Sequence, residues 1–239
     1  MDWFSYLVAG VMVYVAVVVF VLGMAYRFYQ WAKVPKTSVR LAVFPKPANR
    51  AAKWFVAVKN ALIFPQVIEV DPKMWLFSML FHLGLLGAFV GHLRLLHEFT
   101  PLVGALGSEG MERLSFWGGS TMGIVLSVAV VYLLVRRMKS PYKDVSVPED
   151  YILLLLILAV VTMGNHLRFF GDVPTADYRA YLQSLLAFKP AFPAALAASS
   201  IKSALVLHVF LANLLLIYFP FGKLVHVVGT FATNLVRSD

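Results

Sequence analysis

Six histidines are the residues of this 239-residue chain best suited to chemistry, and four of them form a pattern. His82 and His92 stand ten residues apart in one apolar run; His208 and His226 stand eighteen apart, from inside another run to its far end. Ionisable or metal-binding side chains are costly inside a membrane span and mark functional positions there. With spans that alternate in direction, His82 and His226 fall on one side of the membrane and His92 and His208 on the other. Two imidazoles from facing helices, at each of two depths, are the axial ligands that two b-type haems need. Ten helical residues rise about 15 Å and eighteen about 27 Å. The segment carrying the second pair must therefore break, and Pro220 and Gly222 stand where it would. Gly84, Gly87 and Gly91 leave one face of the first run without bulk, for a flat macrocycle or for a close helix. The plain alternative is histidines hydrogen-bonded across helices, which gives no reason for two pairs matched in depth. A zinc site fits less well, because no carboxylate accompanies either pair.

His97 lies beyond its apolar run and reads as an interface residue. His166 ends a span at about the depth of His92, where it is a rival outer ligand or a hydrogen-bond partner for a quinone head group or haem propionate. Arg94, Arg168, Arg113 and Lys202 gather at the same outer rim. Singly, each is a snorkelling side chain; together, Arg94, Arg168 and Lys202 suit the propionates of an outer haem.

The elements that hold these residues are membrane spans. The chain is 60% hydrophobic and only 14% charged, with a mean hydropathy of +0.78, which excludes a soluble globular or nucleic-acid-binding protein. At about 20 residues per span, five apolar segments stand out, at about 4–26, 74–96, 115–135, 151–168 and 201–221. The first has Asp2 in place of a basic leader and reads as a retained span. Fifteen Lys and Arg fall in 27–73, in 136–149 and in the C-terminal tail, against six in the opposite loops. The positive-inside rule then puts the N-terminus outside and the C-terminus in the cytoplasm. The net charge of +9 is mostly this bias. Segments 51–64 and 172–190 are amphipathic, suited to the membrane interface or, for the cytoplasmic one, to a partner. The expected fold is an all-α, multi-pass protein of the cytoplasmic (inner) membrane. Its 239 residues form a single cytochrome b domain with a di-haem four-helix core. The chain has no cysteine, so it carries no iron–sulfur cluster and no c-type haem.

The segments Phe81-His82-Leu83-Gly84-Leu85-Leu86-Gly87-Ala88-Phe89-Val90-Gly91-His92 and Leu207-His208, with Tyr218-Phe219-Pro220-Phe221-Gly222-Lys223-Leu224-Val225-His226, resemble the membrane cytochrome b of the respiratory nitrate reductase gamma-subunit family. Phe116-Trp117-Gly118-Gly119 resembles the start of that family's third helix. The resemblance implies an inner haem on His82 and His226, an outer haem on His92 and His208, and oxidation of menaquinol or another quinol near the outer haem. Before the third helix, where enteric members carry a lysine, this chain reads Ser108-Glu109-Gly110-Met111-Glu112-Arg113. Arg113 is the nearest basic substitute, and with His166 and Asn165 it forms the set of quinone-site candidates. The long connection 27–73 and the run Gly164-Asn165-His166-Leu167-Arg168-Phe169-Phe170 look more like the branch associated with dissimilatory sulfite reduction. That branch implies a cytoplasmic iron–sulfur subunit and further subunits as partners. The expected role is thus an electron-transfer subunit of a quinol-dependent oxidoreductase, not catalytically complete alone. A nitrate reductase gamma subunit is the nearest alternative. A haem-free transporter or anchor would explain the spans but not the histidine pairs.

Overall fold

The computed structural model describes residues 1–34 and 47–237, with side chains to residue 234. Residues 35–46, which include Lys36, Arg40 and Lys46 of the basic connection, lie outside the described residues, as do 238 and 239. The described chain is helical throughout, with no strand among the described residues. In order, the helices are α1 (Trp3–Lys33), α2 (Arg50–Ile63), α3 (Pro65–Val70), α4 (Pro72–Leu96), α5 (Thr100–Arg137), α6 (Pro148–Phe170), α7 (Thr175–Leu186), α8 (Ala194–Ala198), α9 (Lys202–Tyr218) and α10 (His226–Arg237). Four of them, α1, α4, α5 and α6, are long and apolar enough to cross a membrane, and α9 with the helical chain after it makes a fifth if that bent pair is one span. Large apolar side chains stand outward along these helices, as with Leu22, Phe89 and Ile152, each more than 60% exposed. Lipid is the solvent such faces require, since a helix satisfies its own backbone there. The chain is a multi-pass membrane protein.

Local chemistry sets the helix ends. The Asp2 carboxylate accepts from Ser5 N at 2.8 Å and starts α1, which carries a π-turn at Leu7–Val11. Asp71 caps α4 by accepting from Met74 N. Inside α5, Gly107 takes φ 71° and ψ 169°. No atom crowds its open side, so backbone conformation rather than space calls for glycine there. The kink separates the first turns of α5 from the apolar stretch that contains 115–135.

The chain divides into two compact units. The first holds Met1–Ala16 with Phe77–Leu215. One of its cores joins Val8 and Ala9 of α1 to Tyr181 and Leu185 of α7 and to Leu205 and Val206 of α9. Tyr181 Oη donates to Ala9 O, and Asn213 Nδ2 donates to Val8 O beside the π-turn, filling carbonyls that the irregular turn leaves available. A second core packs Leu126 and Val130 of α5 on Ile157 of α6. Here Gly84 and Gly87 serve a close helix. A Cβ on Gly84 would stand 3.0 Å from Leu126 Cβ and 3.2 Å from Met122 O, and one on Gly87 would meet the Met122 side chain. Gly91, by contrast, faces open space. Gly84→Val should therefore cost about 1–3 kcal/mol, because main-chain atoms must move. Gly91→Ala should leave stability unchanged, and thermal unfolding of the two variants in detergent would show the contrast.

The second unit holds Val17–Leu76 with Leu216–Asp239. In it α10 packs along α2, and Trp75 Nε1 donates to Ile63 O, fixing the end of α2 to the first turn of α4. The chain leaves α9 at Tyr218 and re-enters helix at Lys223–Val225 and α10, bent by 72°. Pro220 is fully buried there, and a Cβ on Gly23 would stand 2.5 Å from its ring. Gly222 lies under the Tyr218 ring, where a side chain would meet it at 2.4 Å. Arg27 Nε donates to Pro220 O at 2.7 Å, taking up a carbonyl that the broken helix leaves without a partner.

Candidate functional site

Each of the four spaced histidines turns Nδ1 towards a main-chain carbonyl. His82 meets Ser78 O at 2.7 Å, His92 meets Ala88 O at 2.7 Å, His208 meets Val160 O at 3.0 Å and His226 meets Lys223 O at 2.8 Å. A carbonyl oxygen only accepts, so Nδ1 donates and Nε2 carries the lone pair. Proteins use this arrangement to fix the tautomer and the ring plane of a metal-bound imidazole. Neither His97 nor His166 makes such a bond among the described residues. His166 is exposed, with its ring 5.0 Å from that of Phe170.

His92 of α4 and His208 of α9 face each other. Their ring centres are 6.3 Å apart and their planes differ by 14°. Two imidazoles bound to one metal at about 2 Å each place their ring centres about 6 Å apart. The third wall is α6, where a Cβ on Gly164 would stand 3.2 Å from His208 Cε1. Glycine at 164 lets that helix reach the ring edge. His82 belongs to the first unit and His226 to the second. His226 borders an open pocket of about 510 Å³ with Lys223, Gly229, Thr230, Thr233 and Asn234. No three His, Asp or Glu side chains among the described residues could hold a metal ion by themselves.

At the rim of the first unit, carboxylates that composition alone did not single out share the cations. Arg94 is buried; its Nε donates to Glu98 at 2.7 Å and its Nη2 to Glu112 at 2.6 Å. Arg179 of α7 also pairs with Glu98, and Thr175 donates to Glu112 at 3.0 Å, so the cluster ties α7 to α4 and α5. The Arg94 guanidinium, helped by Arg179, holds the Glu98 carboxyl below the usual carboxylate range against the opposing effect of burial. Lys202 pairs with Asp2 at 2.6 Å, and it holds that carboxyl well down. Arg113 is exposed and pairs with Glu109 one turn away. Asn165 Nδ2 donates to Ser127 Oγ at 3.0 Å, and Gly123 makes room for its amide, since a Cβ there would stand 2.0 Å from Asn165 Oδ1. Arg168 lies against Gly119. Of the Glu98 and Glu112 partners of Arg94, only Glu98 had a sequence signal, in its four-residue step from Arg94. Lys202 and Asp2 are two hundred residues apart and had none.

A multi-pass helical membrane protein with four intramembrane or near-membrane histidines, each oriented through Nδ1, is the class that fold and site define. The chain belongs to the nitrate reductase gamma subunit family, which it matches over residues 66–238. It is 29% identical to the Hdr-like menaquinol oxidoreductase cytochrome b-like subunit of Archaeoglobus fulgidus, over 93% of this chain and 76% of that one. It is 27% identical to the respiratory nitrate reductase 1 gamma chain of Escherichia coli, over 69% of this chain and 75% of that one. The nitrate reductase gamma chain of Bacillus subtilis is 29% identical over 67% of this chain and 74% of its own length.

Proposed function

We propose that the chain is the di-haem cytochrome b subunit of a quinol-dependent respiratory complex in the cytoplasmic membrane, carrying electrons between menaquinol and a cytoplasmic iron–sulfur partner. The observation that carries this reading is the shared Nδ1-to-carbonyl bond of His82, His92, His208 and His226. Two imidazoles per site leave the remaining coordination positions to a macrocycle, which is the chemistry of haem b. His92 and His208 hold the outer group and His82 and His226 the inner one. Bound haem supplies reversible one-electron transfer between its ferric and ferrous states. The protein holds each imidazole in one tautomer and ring plane, keeps water from the iron through apolar helices, and sets the electrostatics at the rim. Lacking cysteine, the chain leaves any iron–sulfur relay to its partner.

The coverage of the Archaeoglobus fulgidus relative, across almost the whole chain, favours the Hdr-like kind of complex over nitrate reductase; the sulfite-reduction-associated branch rests on the resemblance of segments 27–73 and 164–170. The quinol site is assigned near the outer haem, with His166 exposed towards the end of α6, Asn165 next to it in sequence and Arg113 on α5 as the candidates. A reduced-minus-oxidised visible spectrum of the purified chain tests the reading, which predicts b-type absorbance from two haems. Absence of that absorbance would refute it. The orientation, with the N-terminus outside, predicts that Thr175→Cys is labelled from the outside by an impermeant thiol reagent in this cysteine-free chain. Labelling only from the cytoplasmic side would reverse it.

A further inference from the structure

The outer end of α6 carries a cation without a direct ion pair, although the Glu112 carboxylate acts on it at longer range. Arg168 makes no hydrogen bond or ion pair among the described residues. Its Nε and Nη2 lie 3.2 Å from where a Cβ on Gly119 would stand, so the planar group rests on a bare stretch of α5. The neighbouring cations have direct ion pairs: Arg94 with Glu98 and Glu112 (its buried Nη1 alone has no partner), Lys202 with Asp2, Arg113 with Glu109. A second unsatisfied group stands close by. Tyr178 Oη is buried with no hydrogen-bond partner and lies 3.3 Å from where a Cβ on Gly171, at the end of α6, would stand. Arg168 and Tyr178 are within electrostatic reach of each other. A desolvated guanidinium and a buried hydroxyl without partners both cost stability, and one carboxylate would satisfy both.

Position says which carboxylate. Gly164 touches the His208 imidazole. Arg168 is four residues further along α6, on the same helix face and about 6 Å outward. A group seated between His92 and His208 with an edge towards the rim presents that edge to Arg168. We propose that Arg168 and Tyr178 form a carboxylate-binding corner that receives a propionate of the outer haem, while Arg94 and Lys202 serve internal ion pairs. The inference rests on the haem reading above.

The test uses the purified, haem-loaded full chain and follows haem loss to an excess of a haem-scavenging apoprotein, with an optical redox titration alongside. Arg168→Gln should speed the loss of one of the two haems about tenfold or more, the size expected for a lost charge-assisted bond. It should also lower that haem's midpoint potential, because a positive charge that disfavours the ferric state is gone. Gly119→Val, which displaces the guanidinium without removing its charge, should act in the same direction, and Tyr178→Phe should give a smaller effect. Lys202→Gln should leave both haems as in the wild type. Wild-type haem loss and midpoints in Arg168→Gln and Tyr178→Phe would overturn the corner while leaving the haem reading intact. A wild-type chain with no b-type spectrum would overturn both.

Discussion

Replacing His92 or His208 by alanine is expected to remove one of two b-type haems and leave the other in place. Replacing His82 or His226 should remove the other one. Each site would depend on two imidazoles, and a six-coordinate haem that loses one keeps an open position and a loosened pocket. Haem content per chain should fall from two to one in each single variant and to none in His82→Ala/His92→Ala. The lost haems should sort into two groups by midpoint potential, with His92 grouped with His208. The facing rings of these two, 6.3 Å apart, are the basis of that grouping. Loss of a haem in His166→Ala with both retained in His208→Ala would contradict the assignment.

The second large effect is at the carboxylate cluster around Arg94. Glu98→Gln with Glu112→Gln leaves the Arg94 guanidinium buried without an anion, which should cost about 3 kcal/mol, near the lower end for breaking a buried pair because Glu112 is half exposed. Glu112→Gln alone should cost about 1 kcal/mol or less, since Glu98 remains. Thermal unfolding in detergent measures both, and hydrogen exchange should show α7 loosening first, because Arg179 and Thr175 anchor it to these carboxylates. Acid should act through the same groups. The folded carboxyl of Glu98 titrates below its ordinary value, so its contribution is complete above the unfolded value of about 4.3 and is lost as pH falls through the lower folded value. The α7 anchor should therefore hold across neutral pH and release only in strong acid.

Much of this arrangement is readable from the chain, and the reasons are physical. Spans are legible because twenty apolar residues in a row have few other uses. The break after α9 is legible because eighteen straight helical residues overshoot the ten that separate His82 and His92, and Pro220 with Gly222 supplies the means. The glycines of α4 were readable only as an open choice between a macrocycle and a helix; Met122 and Leu126 occupy the space beside Gly84 and Gly87, while Gly91 stays open. The rim was the hardest part. Counting arginines and lysines finds positive charge but not its partners, and the acids that take it up come from one turn along the helix, from another helix, or from the far end of the chain. Asn165 shows the same limit, since its bond to Ser127 joins residues thirty-eight apart.

The break after α9 also has a meaning for how this chain can diverge. Arg27 and Pro220 work as one character: the proline's broken helix exposes a carbonyl, and the arginine consumes it. A lineage that straightened the segment would take from the guanidinium its two main-chain acceptors and leave it only Gln30, and one that lost the arginine would leave a buried carbonyl unsatisfied beside Gly23. Neither change is neutral by itself. The two positions, 193 residues apart, are expected to be inherited together or replaced together, with glycine at 23 following the proline.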